Sequence, residues 1–460
     1  MADKKNSALV TKLYRALSVV QSYAMATKIS AIETASAIAG VLVGGIEIFA
    51  NLGGDASEYS SLILIACGIA ILVPFIRAFA SIRTSRFGHT IQSSKMYHDD
   101  VQSRLKLSPN YIANGYEIRD FVDGGVTERY VASDLVDRNL IRGSFHSEQA
   151  NPLFLDKGGY SIPDEVRPLA IGIISTILRK GKSKRLTNGK LSRQSTDLLP
   201  EDPSFKTFVV DKVRYFDGQC THEIVYKQAP SKRSIDECFK GEALLMDENG
   251  ELIELWRSRC ANFMGASTIA ITRDLKLILN VQGKQSMANA GRCAPSGSGS
   301  VEFSDCTLVL RRNPEAKLPA LITQAAEREL HEECALKYGS SKMKSHLIGY
   351  ARLLERGGKP DFFCVTFLDM SSQQLIDEYR SNISAGEVDL GTMPEPVDIA
   401  DPLHPSQALA DALAKRAAEN PGQHKISIQL HILVRNLELF EASEEGRAAL
   451  AQWAEGNTLT

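Results

Sequence analysis

The sequence predicts an α/β protein in two parts: an N-terminal two-helix transmembrane hairpin, then an α/β/α sandwich with a mixed sheet. Three observations lead there. Two apolar runs of about the twenty residues a membrane helix needs lie at 31–54 and 59–80. From Ser267 onward, strand-like segments surround one acidic helix and give way to further helices. The charge is nearly balanced, with Lys+Arg 53 against Asp+Glu 55, which argues against a protein that coats DNA or RNA. An anionic ligand must therefore be bound locally.

Leu62 to Phe75 offers no polar face for a soluble helix, and Pro74 is tolerated where neighbours satisfy the freed backbone. Lys4, Lys5, Lys12, Arg15 and Lys28 precede the first span, Arg77, Arg83 and Arg86 close the second, and the connection "NLGGDASE" carries only acids. Both termini then face the cytoplasm, with residues 1–30 as a cytoplasmic segment. Ser36, Gly40 and Gly44 share one helix face, a small-residue track for helix assembly, and Glu47 is an acid near the outer end of the span.

Residues 81–263 read as a cytosolic connector and a mixed α/β region. Within it, "SFKTFVVDKVRYFDGQCTHEIVYK" alternates apolar and polar residues around "FDGQ", as a β-hairpin does, and Arg179 to Lys190 is a basic exposed loop. The eight cysteines form no C-x-x-C pair, which implies free thiols in a reducing compartment.

Residues 264–460 carry the chemistry. "STIAITRDLKLILNVQ" reads as strand, turn and strand, "SGSGS" as a small-residue loop, and "HLIGYARLL" and "DFFCVTFLD" as later strands, followed by helices around 405–419 and 436–454. In "ERELHEECAL", Glu329, Glu332 and Glu333 stand at i, i+3 and i+4, so their carboxylates share one helix face. Leu330 and Cys334 form the apolar stripe that would hold that face toward a cleft. Clustered carboxylates suit a hard cation such as Mg²⁺ bound together with phosphate.

These residues resemble the Nudix motif, G-x5-E-x7-R-E-U-x-E-E-x-G-U with U aliphatic. Arg328 to Leu336 match its second half with Ala335 in place of glycine, and Gly299 and Asp305 match G-x5-E with aspartate for glutamate. The departure is an insertion of fifteen residues, Cys306 to Ala320, which reads as a loop carrying Arg311 and Arg312. The resemblance implies a nucleotide site built from Ser296, Gly297, Ser298, Gly299, Arg311, Arg312 and Arg328. It implies Mg²⁺ ligation by Glu329, Glu332 and Glu333, with Glu387 from a later loop. If the domain is a hydrolase, Glu332 and Glu333 are the catalytic pair.

The order of hairpin and Nudix-like domain resembles the membrane effectors of bacterial cyclic-oligonucleotide anti-phage signalling (CBASS). That likeness implies a homo-oligomeric effector in the inner membrane that senses a cyclic di- or trinucleotide made by a partner nucleotidyltransferase. It would then disrupt the lipid bilayer and cause abortive infection. The alternatives are a membrane-anchored Nudix hydrolase acting on a nucleoside diphosphate derivative or on the signal itself, and a scaffold with an inert nucleotide fold.

Overall fold

The computed structural model describes residues 91–456, except 144–152, 157, 168, 171–172, 175–187, 201–206, 231–237, 282–290, 338–341, 385–393 and 424. The expected transmembrane hairpin is overturned. Among the described residues no helix is long and apolar enough to cross a membrane. The longest of them, Leu318–Glu333, has 16 residues and carries Arg328, Glu329 and Glu332. Segments 31–54 and 59–80, with Ser36, Gly40, Gly44 and Glu47, lie outside the described residues. The inner-membrane location falls with the hairpin. What the described residues form is a mixed α/β architecture with sheets.

In chain order the strands are β1 (Tyr116–Asp123), β2 (Val126–Ser133), β3 (Leu153–Leu155), β4 (Lys190–Gln194), β5 (Phe208–Arg214), β6 (Gln228–Pro230), β7 (Cys238–Lys240), β8 (Gly265–Thr272), β9 (Lys276–Val281), β10 (Cys293–Ala294), β11 (Gly297–Ser300), β12 (Met343–Leu353), β13 (Lys359–Leu368) and β14 (Glu395–Asp398). Five helices matter for the argument: α1 (Phe303–Arg312), α2 (Leu318–Glu333), α3 (Ser372–Ser384), α4 (Pro405–Glu419) and α5 (Ile428–Ala442).

Nine strands join one sheet in the order β1-β2-β12-β13-β8-β9-β10, with β11 on β8 and β14 on β9. The β13–β8 pair is parallel and the others are antiparallel, so the sheet is mixed. Side chains alternate across a strand, and β13 uses both faces. Phe362 and Cys364 pack into one core with Leu321, Ile322 and Ala325 of α2. Phe363, Val365 and Phe367 pack into another with Leu430, Leu433 and Phe440 of α5. Every residue of β8 and β13 is buried. Each large apolar side chain so buried contributes about 1.5–3 kcal/mol, which makes this sheet the stable platform for whatever sits on it.

The sequence-predicted connector is part of the same body. Strand β2 pairs with β12 through Val131↔Arg352, and Tyr111, Phe208, Phe216 and Ile224 share a core with Ala266, Leu321 and Phe362. The "FDGQ" segment departs from expectation. It forms a short helix, Tyr215–Gln219, after β5, because Asp217 closes an N-terminal capping box with the Arg214 backbone and Gly218 lets the Phe263 ring pack against it. The described cysteines are all free thiols.

Candidate functional site

The site is built where β11 hands over to α1 and α2. Strand β11 lies antiparallel on β8, and its alternate residues Gly297 and Gly299 face α2. A Cβ on Gly297 would overlap the Leu330 backbone, and one on Gly299 would overlap the Glu329 carboxyl. The glycines therefore permit close approach of strand and helix rather than a flexible phosphate loop. Helix α2 buries Leu321, Ile322, Ala325, Ala326 and Leu330 on the sheet side, a helical spacing that turns Arg328 and Glu332 toward the outer side.

The first half of the fifteen-residue insertion is helical where the sequence suggested a loop, and its last three residues open α2. Phe303 to Arg312 form α1, and Glu302 and Asp305 make a capping box at its start. Cys306 and Val309 are buried at three-residue spacing, which is why the segment folds onto its neighbours.

Arg328 is the centre of the arrangement. Its Nε donates to Asp305 Oδ1 at 3.1 Å, Nη2 donates to Asp305 Oδ2 at 3.0 Å and to the Ser300 carbonyl at 2.8 Å, and Nη1 donates to Glu329 Oε1 at 2.9 Å. Glu332 stands farther out, 3.4 Å from Nη1, with its side chain 58% exposed against 4% for Asp305. Two halves of the motif, with 22 residues between Asp305 and Arg328 because of the insertion, thus meet through one guanidinium.

Burial and charge set the protonation. Burial opposes the charge on Arg328, but its hydrogen bonds to Asp305 and the fields of Glu329, Asp305 and Glu332 outweigh it and raise its pKa. Burial pushes the Glu329 carboxyl up to about 7, with the charges of Glu332 and Asp305 adding to it and Arg328 opposing. Burial lowers the pKa of the His331 imidazole.

The predicted nucleotide-binding residues separate in space. Arg312 Nη1 donates to Gln324 Oε1 at 3.1 Å, one turn of α2 before Arg328, and Arg311 is exposed beside it. Gly299, Arg312, Arg328, Glu329 and Glu332 therefore follow one strip of α2. Ser296 is fully buried, its hydroxyl donating to the Ile278 carbonyl and accepting from the Ala270 amide at 2.7 Å. Ser298 points to the other face of the sheet, 3.2 Å from Ser267 Oγ. Gly297 is enclosed by α2. Glu333 lies at the C-terminal end of α2, and Glu387 is outside the described residues.

The implied metal can be tested against these donors. Asp305, Glu329 and Glu332 all face the Arg328 guanidinium. Among the described residues no three His, Cys, Asp or Glu side chains stand together so as to hold one ion. The set as arranged does not fit a Mg²⁺ ion.

Sequence reasoning missed Gln324, Ser300 and Asn382. Asn382 Nδ2 donates to the Ala335 carbonyl at the end of α2. The first of these was accessible: Phe303, Cys306, Val309 and Leu310 repeat at helical spacing, and a helix in the insertion would have placed Arg312 beside α2. Compared with known proteins, the chain matches no family model and no curated relative.

Proposed function

We propose that the chain is the nucleotide sensor of a bacterial anti-phage system of the CBASS type, binding a cyclic di- or trinucleotide along α2 of a Nudix-like domain without cleaving it. The observation that carries this reading is the neutralisation of the acidic face from within. Arg328 compensates Asp305 and Glu329, and Arg311 and Arg312 add positive charge one turn away. A face so compensated attracts phosphodiesters without first recruiting a cation. A partner nucleotidyltransferase supplies the ligand, and ligand-biased assembly into a homo-oligomer is the output this reading assigns to binding.

The test incubates the full chain with labelled cyclic and linear nucleotides and Mg²⁺, recovers the protein and identifies the bound label. Intact cyclic nucleotide is expected. Release of linear or mononucleotide products would instead favour a Mg²⁺-dependent Nudix hydrolase. One observation speaks for that second reading: Glu329, with a pKa near 7 beside Glu332, is suited to proton transfer at neutral pH. Turnover lost in Glu332→Gln and Glu333→Gln, with binding retained, would settle the choice for hydrolysis.

A further inference from the structure

We infer that Glu332 is a specificity filter: it favours a nucleotide whose phosphates are all diesters over one that carries a terminal phosphate. This rests on the nucleotide reading of the α2 face and supplies the residue that tells a cyclic signal from its linear form.

The guanidinium of Arg328 has one loosely held hydrogen. Nε is taken by Asp305, Nη2 by Asp305 and the Ser300 carbonyl, and one Nη1 hydrogen by Glu329 at 2.9 Å. The remaining Nη1 hydrogen is shared by the two oxygens of Glu332, each at 3.4 Å, which is beyond the usual length of an N–H to oxygen bond. The side chains of Asp305 and Glu329 are 4% and 10% exposed, whereas that of Glu332 is 58% exposed. Glu332 therefore gives way by rotating its own side chain into solvent, while Asp305, Ser300, Glu329 and helix α1 stay in place. A phosphate oxygen reaches Arg328 by replacing Glu332.

The displaced carboxylate stays close. Glu332 follows Arg328 by four residues on α2, a spacing that holds the two Cβ atoms about 5–6 Å apart. Its negative charge then stands beside the bound phosphate. A diester phosphate carries one charge and a terminal phosphate carries close to two at neutral pH, so the terminal phosphate meets about twice the repulsion. In water, one unit charge about 4 Å from another changes affinity about fivefold. Arg312 adds its attraction at the other end of the strip, where it bonds Gln324 one turn before Arg328. It draws in both kinds of ligand, and the acid one turn after Arg328 opposes the more highly charged one.

The experiment measures the affinity of the full chain, in EDTA, for whichever probe it retains from a panel of cyclic di- and trinucleotides made from all four ribonucleotides, and for the linear form of that probe with a 5′-phosphate. Wild type is compared with Glu332→Gln. Glu419→Gln is the control, because it removes the same charge from α4, which packs with α5 in the core on the opposite side of the sheet from α2. Glu332→Gln is expected to tighten the linear form about three- to fivefold more than the cyclic form, and Glu419→Gln to leave the ratio unchanged. An unchanged ratio in Glu332→Gln, an equal change in Glu419→Gln, or a weakened linear form overturns the filter while nucleotide sensing stands. If no member of the panel is retained, the nucleotide reading fails and the filter fails with it.

Discussion

The carboxyl of Glu329 occupies the volume that any side chain on Gly299 would need: a Cβ there overlaps the carboxyl carbon and both oxygens. The glycine is thus fixed by its neighbour and not by its own backbone, and the two positions must be energetically coupled. Gly299→Ala should cost about 1–3 kcal/mol through overpacking. In a Glu329→Ala background the cost should fall to a few tenths, which a double-mutant cycle by urea denaturation measures. Additive effects would show that the strand simply moves away.

Ala335 ends the turn after α2 with φ 52°, in the left-handed region. A non-glycine residue pays a steric penalty there of about 1–2 kcal/mol, partly offset by the greater freedom glycine has when unfolded. Ala335→Gly should therefore stabilise the protein by about 0.5–1 kcal/mol, read as a higher denaturation midpoint. Asn382 Nδ2 donates to the Ala335 backbone carbonyl, so the substitution leaves that contact in place. An unchanged or lower midpoint would mean that the strain is relieved elsewhere.

Glu329 gives the fold a pH dependence of definite sign. Its folded pKa, raised by burial to about 7, exceeds the ordinary carboxylate value, so the folded state binds the proton more tightly than the unfolded chain. The stability from that preference is complete below about pH 4 and is lost as pH rises through 7. Wild type should lose up to about 3 kcal/mol between pH 5 and pH 8 relative to Glu329→Gln. Equal slopes for the two proteins would show that Arg328 holds Glu329 ionised throughout.

The local features of this fold were legible and the long-range ones were not. "STIAITRDLKLILNVQ" forms β8, a turn and β9 as its alternation predicts, and Leu275 takes the left-handed turn position. "DFFCVTFLD" is strand β13 because apolar residues fill both of its faces. The pairing of β2 with β12 joins Val131 to Arg352, and no pattern in either segment names the other. Likewise Arg328 was visible beside its glutamates, but its partnership with Asp305 depends on α1 folding back onto α2. The serines of "SGSGS" looked like loop residues because small polar runs favour turns. Pairing of Gly297–Ser300 with β8 overrode that tendency, and Ser296 just before the strand is buried with its hydroxyl bonded to Ile278 and Ala270.

The shared core predicts that residues 264–460 alone are an incomplete folding unit. Leu321, Ile322 and Phe362 pack with Tyr111, Phe208 and Ile224 across the expected boundary. A fragment starting at Met264 would expose that surface, whereas one starting at residue 91 keeps it covered. The shorter fragment should show no cooperative thermal transition by circular dichroism and should aggregate. The longer one should melt in a single step. A cooperative melt of the shorter fragment would establish an independent domain after all.

The same boundary holds a buried ion pair. Lys359 Nζ bonds to Asp361 Oδ1, and both side chains are 3% exposed. The ammonium lies 5.2 Å from the ring centre of Phe263, and the pair lies over Gly265, where any Cβ would strike it. Burial lowers the Lys359 pKa, with Asp361 opposing and Arg356 adding to the effect. Removing one partner leaves the other charged and dry, so Lys359→Met should cost about 3–5 kcal/mol. Removing both removes the desolvation penalty as well, and Lys359→Met with Asp361→Leu should recover most of that loss. Urea midpoints of the two single variants and the double variant test this directly. A double variant no more stable than Lys359→Met would mean that Asp361 does further work through Gln429, whose Nε2 lies 3.5 Å from Oδ2. In that case the pair fixes α5 on the sheet rather than merely joining the two halves of the chain.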